Sequence, residues 1–357
     1  MNHTTFNTTI SSCGNSVYSI NLKNISPEVR AVLIVRIVVS ALTCPLTTLL
    51  NILVMIAVKS KPQLWTKSNV SLACLSTTDL MVGLVIQPLH ITATSLFLKG
   101  EHMFCTITDI SRTTTFVCIL ASLHHLVLMS AERYVAITRP FAYETVITEV
   151  RIIVASFLAW VAAILFSVEN LLPTAAVAVS ESLLLIFPIY FNVSVYKEVS
   201  RNKKQIAANQ VSLEAKEKLL KKKKAFYTTV VVLLVLFLCY IPSNVLLVIL
   251  ASFKERIPSI IRVSAVYLFS LLPVLNSMLN PLIYALRIRH FRVTFIQLLA
   301  RKTTAQAEEL ERKIFGTRRI GVNVIVNTGP ENQTLNDNYE PRRRTELPGG
   351  REETHLG

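Results

Sequence analysis

The chain has 357 residues, 52% of them hydrophobic and only 17% charged, with a mean hydropathy of +0.48. Charge-poor apolar runs of about 20 residues read as membrane-spanning helices and exclude a pair of soluble domains. The net charge of +15 does not point to nucleic acid. Its basic residues collect in short segments between apolar runs, as cytoplasmic loops do, and no aromatic-interleaved basic platform is present.

In chain order, the polar opening MNHTTFNTTISSCGNS reads as no cleavable signal peptide, so the first span is expected to direct insertion itself. Residues 1–30 carry sequons at Asn2, Asn7 and Asn24 and are expected to be extracellular and glycosylated. Sequons at Asn69 and Asn192 fall in membrane, and that at Asn332 in the cytoplasm. Apolar spans are expected at 31–58, 68–98 and 105–133. The next run, beginning IIVASFLAWVAAILF, has about twice the length one helix needs, and its middle, SVENLLPTAA, suits a turn. Basic residues flank it on both sides (Arg133, Arg139 and Arg151 before, Lys197, Arg201, Lys203 and Lys204 after). An even number of crossings therefore separates them. This gives spans 152–168 and 175–197, then 225–252 and 258–286, seven in all within 31–286.

After the last span, ALRIRHFRVTFIQLLARK mixes basic residues with Phe291, Phe295, Ile296 and Leu299, which predicts an amphipathic helix over 288–300 lying on the inner leaflet. Residues 301–357 are polar and expected to be a disordered cytoplasmic tail. Cys44, Cys74, Cys118 and Cys239 lie in apolar runs and read as packing residues, and no cysteine pair has metal-ligand spacing. Cys13 and Cys105 alone are expected in the oxidising compartment, where they form either a disulfide or two unpaired thiols. No internal repeat marks a transporter of inverted halves.

Polar residues inside the spans carry the functional argument. A lone carboxylate at Asp79, near the middle of the second span, costs about 2.5–3.5 kcal/mol on insertion scales. Ser122 and Arg133 are eleven residues apart and share a face of the third helix. Asn276, Asn280 and Tyr284 line one stripe of the last span, and Asn51 is a polar residue in the first. Two readings stand side by side. One is a hydrogen-bonded polar core that glues helices. The other is a small wet cavity in which Asp79, Ser122, Asn276 and Asn280 hold a sodium ion by hard oxygen ligands. Pro188, Pro242, Pro273 and Pro281 weaken their helices, as static kinks or as hinges. In SAERYVAITRP the third apolar run ends on Glu132 and Arg133. The distance from Asp109 places Arg133 at the cytoplasmic rim, where adjacent Glu132 pairs with it.

Asn51, the LxxxD of Leu75 to Asp79, ERY at 132–134, Trp160, Pro188 with Tyr196, CYIP at 239–242 and NPLIY at 280–284 occur in this order. Over residues 31–300 the chain resembles the rhodopsin-like (class A) G-protein-coupled receptors. The resemblance implies an all-α, seven-transmembrane helix bundle in the plasma membrane, multi-pass, with its N-terminus outside, an outward ligand pocket and an inner face that opens to a heterotrimeric G protein. It also implies an activation switch of Glu132, Arg133, Tyr134, Tyr196, Tyr240, Pro242, Asn280, Pro281 and Tyr284, with Arg133 moving between Tyr196 and Tyr284. The allosteric sodium site at Asp79, Ser122, Asn276 and Asn280 is implied as well. Leu50, Tyr240 and Leu236 depart from the family's usual glycine, tryptophan and phenylalanine. Lys222 stands where many members place an acid that restrains the arginine, so a loosely locked receptor is expected; alternatively Lys222 to Lys224 meet anionic lipid. The cysteine-free second outer loop, about 168–174, is similar to that of melanocortin, cannabinoid and lysophospholipid receptors, but these usually lack a proline equivalent to Pro188, and the subgroup stays open.

For the ligand, the apolar spans offer no lysine for a retinal Schiff base, and Val274 occupies the matching opsin position. Amine receptors of the family place an aspartate where this chain has Thr115, which disfavours an amine. Candidate pocket residues are Gln87, His90, Arg112, Thr115, Glu169, Glu181, Ser243, Asn244 and Tyr267. Arg36, Arg112 and Arg262 favour an acidic ligand or else snorkel to the outer headgroups. His124 and His125 read as packing or hydrogen-bonding residues. The expected partners are an extracellular ligand, a heterotrimeric G protein and membrane lipid. A membrane enzyme or transporter lacks the motifs it needs, and intact Arg133, Tyr196 and Tyr284 argue against a non-signalling binding protein.

Overall fold

The computed structural model describes residues 26–101, 103–168, 174–208, 213–253 and 256–316. The chain divides into two compact units, Met1–Glu311 and Arg312–Gly357; of the second, only the residues up to Gly316 are described. Among the described residues, seven helices are long and apolar enough to cross a membrane, and no strand occurs. The protein is a seven-helix transmembrane bundle.

The first span, α1 (Pro27–Ser60), opens with Pro27 at the first helical position and Ser26 accepting from the Val29 N–H at 3.5 Å. Leu42, Leu46, Leu49, Ile52 and Ile56 form its exposed, lipid-facing stripe, whereas Arg36, Ser40, Thr47 and Asn51 are buried on the opposite face. The second span has three parts: α2 (Lys67–Met81), a π-helical turn (Val82–Ile86) and α3 (Gln87–Lys99). Pro88 cannot donate to the carbonyl four residues back, and the widened turn just before it absorbs that mismatch. The turn also brings the backbone against α1. Cys44 Sγ lies 3.2 Å from the Gly83 carbonyl, and a Cβ on Gly83 would stand 2.6 Å from Thr48 Oγ1. Gly100, at φ +73°, ends α3 in the left-handed conformation.

The third span, α4 (Phe104–Thr138), runs through the centre of the bundle and touches α2, α3, α6, α7 and α8. It continues five residues past Arg133, so Glu132 and Arg133 lie within the helix and not on its last turn, as the apolar run alone suggested. The short α5 (Pro140–Val146) follows, and α6 (Glu149–Val168), α7 (Thr174–Ala208) and α8 (Leu213–Ser252) supply the next three spans. The last span breaks at Ser270 into α9 (Ser259–Phe269) and α10 (Leu271–Arg287).

Two helices follow. α11 (Arg289–Ala300) does not rest on lipid alone: Phe291 and Phe295 are buried in the main core, with Phe291 stacked 6.1 Å from the Tyr284 ring, while Leu299 stays exposed. α12 (Thr304–Phe315) corrects the expectation of a tail disordered from residue 301. Its start is a reciprocal capping box. The Thr303 hydroxyl accepts from the Gln306 N–H at 3.4 Å, and Gln306 Oε1 accepts from the Thr303 N–H at 3.2 Å. Polar composition hid the helix, because its stability comes from this cap and from ion pairs and not from an apolar face.

Candidate functional site

Three polar clusters lie along the bundle. At the Arg133 end, α4 presents Glu132, 4% exposed, to side chains from α2 and α5. The Tyr143 hydroxyl donates to Glu132 Oε1 at 2.6 Å, and the Ser68 hydroxyl lies 3.2 and 3.1 Å from the two carboxylate oxygens. Burial, then the Glu132 charge at its hydroxyl, holds the Tyr143 phenol well above its ordinary pKa, so it stays a donor. Lys67 closes the outside of this group, with Nζ 2.7 Å from Glu144 Oε2 and 4.8 Å from the centre of the Tyr143 ring. Arg133 Nε stands 3.5 Å from Glu132 Oε2, within ion-pair range but without hydrogen-bond geometry. The carboxylate thus spends its hydrogen-bonding capacity mainly on Tyr143 and Ser68, and its hold on Arg133 is electrostatic. Lys67, Ser68, Arg133, Tyr143 and Glu144 line a cleft of about 480 Å³.

Of the other switch residues, Tyr284 and Tyr240 are buried and Tyr196 is 58% exposed, so the two tyrosines expected to flank Arg133 differ in setting. Tyr134 stacks on Phe191 at 5.5 Å between ring centres. Pro242 and Pro281 lie inside α8 and α10. Lys222 lies in α8, and its side chain is outside the described residues.

Mid-bundle, Asp79 is 1% exposed, and its Oδ2 accepts from Asn280 Nδ2 at 2.8 Å. Asn51 Nδ2 donates to the Thr47 and Ser277 carbonyls at 2.9 and 3.1 Å and so ties α1 to α10. Asp79 Oδ1, Asn276 Oδ1 and Asn280 Oδ1 are buried without a hydrogen-bond donor among the described residues. Ser122 is buried as well. Buried acceptor oxygens without a donor are the chemistry a hard cation takes, so the donor set of Asp79, Asn276 and Asn280 is compatible with the ion that the resemblance implies.

Towards the end that carries Cys105, the structure joins some pocket candidates and separates others. His90 Nε2 lies 3.3 Å from Thr115 Oγ1. Gln87 Nε2 donates to Thr43 Oγ1 at 2.7 Å. Tyr267 lies beneath the guanidinium of Arg36, which is 4.7 Å from the ring centre and donates to Thr94 Oγ1 at 3.2 Å. Arg36 is 7% exposed, inside the bundle. Arg112, by contrast, is exposed and faces Asp109 at 3.5 Å. Arg262 is half-buried. Ser243 donates to the Phe269 carbonyl at 2.8 Å, linking α8 to α9, and Asn244 is buried on α8. Glu169 and the side chain of Glu181 lie outside the described residues, as do Cys13, Asn2, Asn7 and Asn24. Cys105 is disulfide-bonded, and Cys44, Cys74, Cys118 and Cys239 are free. His125 is a structural residue: Nδ1 donates to the Ala121 carbonyl at 2.7 Å, and Nε2 accepts from Ser156 at 2.6 Å.

Residue reasoning on the sequence missed Ser68, Tyr143, Thr43 and Thr94. These lie on other elements from the side chains they hold, and no spacing in the chain announces such pairs.

The family described as "7 transmembrane receptor (rhodopsin family)" matches residues 50–182 and 170–284. The rat histamine H2 receptor is 30% identical over 118 residues, 33% of this chain and 32% of that receptor. The rat D(1B) dopamine receptor is 35% identical over 122 residues, 34% of this chain and 25% of its own length. The dog 5-hydroxytryptamine receptor 1B is 30% identical over 142 residues, covering 39% and 34%. The chain thus spans only a quarter to a third of these relatives' length. The family match is longer, covers most of the bundle, and includes the residues of both the Glu132 and the Asp79 clusters. The chain belongs to the rhodopsin family of seven-transmembrane receptors.

Proposed function

We propose that the chain is a plasma-membrane receptor, N-terminus outside, that binds an extracellular ligand and activates a heterotrimeric G protein by opening its Arg133 end. The observation that carries this reading is the Glu132 cluster. A buried carboxylate held by Tyr143 and Ser68 keeps Arg133 at 3.5 Å by charge alone. Such a contact releases the arginine at small cost when the helices move apart. A transporter or non-signalling binder has no use for a releasable arginine there. The Asp79 cluster supports a sodium ion in the resting state, held by Asp79, Ser122, Asn276 and Asn280.

The test is ligand-free G-protein activation at matched surface expression. Arg133→Ala is expected to abolish it. Glu132→Gln is expected to raise it several-fold, since it removes the charge that holds Arg133, whereas Tyr143→Phe, which frees an oxygen of Glu132 for Arg133, and Lys222→Glu are expected to lower it. Unchanged activation in Arg133→Ala rejects the reading.

The relatives' names favour a second reading for the ligand alone, a small amine such as histamine, dopamine or 5-hydroxytryptamine. Thr115 opposes it, since a hydroxyl offers no countercharge to an ammonium.

A further inference from the structure

The second half of α8 carries two unlike stripes. At 3.6 residues per turn, Leu236, Cys239, Tyr240 and Ser243 share one side of the helix, and all four are buried. Ile241, Val245, Val248 and Ile249 fall on another side and are exposed. In a membrane-spanning helix, an exposed apolar side meets lipid. Between that stripe and α7 lies a cleft of about 220 Å³. Among the described residues it is lined by Leu185 of α7 and by Ile241, Asn244, Val245, Val248 and Ile249 of α8. Five of these six are aliphatic. From Ile241 to Ile249 the helix rises about 12 Å, so a cleft of this volume is long and narrow.

Asn244 is the exception in this lining. It is 7% exposed, and its Nδ2 is buried without a hydrogen-bond acceptor among the described residues. Its neighbour Ser243 shows the contrast, since that hydroxyl donates to the Phe269 carbonyl at 2.8 Å inside the bundle. Asn244 also stands six residues, about 9 Å, inside the end of its apolar span at Leu250. At that depth hydrocarbon tails offer no acceptor, so the amide donor stays unmet unless an oxygen is brought to it. A proline stands at this level in both walls, Pro242 in α8 and Pro188 in α7. Each removes one helical hydrogen bond, which lets the walls part.

We propose that this cleft is a lipid-binding site that takes, from within the membrane, a single alkyl chain bearing a neutral carbonyl, as in a fatty-acid ester or amide. The chain lies along the aliphatic stripe, and the carbonyl oxygen accepts from Asn244 Nδ2. A linear chain fits a narrow groove, whereas a fused-ring sterol is too broad for it. The ester groups of bilayer phospholipids lie at the interface and do not descend to Asn244. A carboxylate is disfavoured, because no cation lines the cleft among the described residues and a charge at that depth is costly. The site needs only the bundle and the membrane, so it goes beyond the receptor reading and does not rest on it.

The test uses the full chain in phospholipid nanodiscs. The probe is methyl myristate carrying a photoreactive diazirine near its chain end, and the labelled peptides are mapped by mass spectrometry. Label is expected on the α7 segment around Leu185 and on the α8 segment from Ile241 to Ile249. Unlabelled methyl myristate is expected to displace it, and tetradecane and cholesterol are not. Asn244→Leu keeps an apolar wall and removes the donor, so it is expected to need about threefold to tenfold more ester for the same labelling. Val245→Trp changes an exposed position and fills the cleft, and it is expected to abolish the label. It also serves alone should Asn244→Leu fail to fold. Three results overturn the proposal. One is label spread evenly over other lipid-facing stripes, such as Leu42 to Ile56 of α1. Another is displacement by tetradecane or cholesterol as effective as by the ester. The third is labelling unchanged in either variant.

Discussion

Asp79 is a buried carboxylate whose two oxygens differ in their partners. Its Oδ2 is met by Asn280, while its Oδ1 and the side-chain oxygens of Asn276 and Asn280 have no donor among the described residues. Under the proposed sodium reading, a cation there would stabilise the arrangement and a ligand that favours a different one would weaken the cation's hold; by linkage the cation would weaken that ligand equally. The expected outcome is that replacing a large organic cation by sodium lowers agonist affinity in the wild type and leaves it unchanged in Asp79→Asn. Radioligand competition in the two salts measures this, and equal sodium responses in both proteins reject the site. Asp79 itself was legible in the sequence, because a lone carboxylate in an apolar run demands a reason. So was the pairing of Glu132 with Arg133, but its weakness was not. Tyr143 and Ser68 take the carboxylate's hydrogen bonds, and both come from other helices.

Among elements, α12 is the one that composition concealed. Glu311, 4% exposed, accepts from Arg289 Nε at 3.0 Å and from Arg292 Nε and Nη2 at 2.9 and 2.5 Å. Arg292 Nη1 also donates to the carbonyls of Ala285 and Leu286 at 3.3 and 3.0 Å, at the end of α10. One guanidinium therefore joins the seventh span to α12. Burial raises the Glu311 pKa, but the Arg292 and Arg289 hydrogen bonds and charges outweigh it and leave the carboxyl below its ordinary value near 4.5. A lowered folded-state pKa means that the carboxylate's contribution is complete above about pH 4.5, the unfolded value, and is lost as pH falls through the folded value. Hydrogen exchange over residues 304–315 is therefore expected to be slow at neutral pH and to gain in opening as pH falls below that point, after correction for intrinsic rates. Glu311→Gln should show fast exchange at every pH. Equal protection in the variant and the wild type would sink this account. The capping box is a second, independent support, and Thr303→Ala should cost the helix about 1 kcal/mol.

At the scale of the whole molecule, the N-terminal segment and the bundle meet in a question of covalent connection. Cys105 is disulfide-bonded while the four cysteines inside the spans are free, which supports Cys13 as the partner we propose. A bridge at the start of α4 would tether the segment that precedes α1 and close a loop of about 90 residues, where chain-entropy estimates give about 4–5 kcal/mol. Non-reduced peptide mapping is expected to recover a Cys13–Cys105 linked peptide. Cys13→Ser is expected to lower the melting temperature and leave Cys105 open to alkylation. Recovery of alkylated Cys13 and Cys105 from the untreated protein rejects the bridge.

By itself the sequence determined the class of the protein. Apolar runs longer than 20 residues leave the backbone no stable choice but a helix across lipid, and basic residues between them set how the runs are counted. It also singled out Asp79, Asn280 and Arg133, since polar groups in such runs stand out against a uniform background. The breaks within the spans were only partly legible. The π turn ahead of Pro88 was not foreseen, because it depends on how closely Gly83 can approach Thr48, and that is a property of two helices together. The side of a helix on which an arginine ends was undetermined for the same reason. Arg36, Arg112 and Arg262 are chemically identical near the ends of their spans, and only the rotation of each helix sends Arg36 inward over Tyr267 and Arg112 outward to Asp109. Helix rotation and crossing are decided by packing against neighbours far away in the chain, so the bonds that orient Gln87, His90 and Glu132 exist only once the bundle has closed.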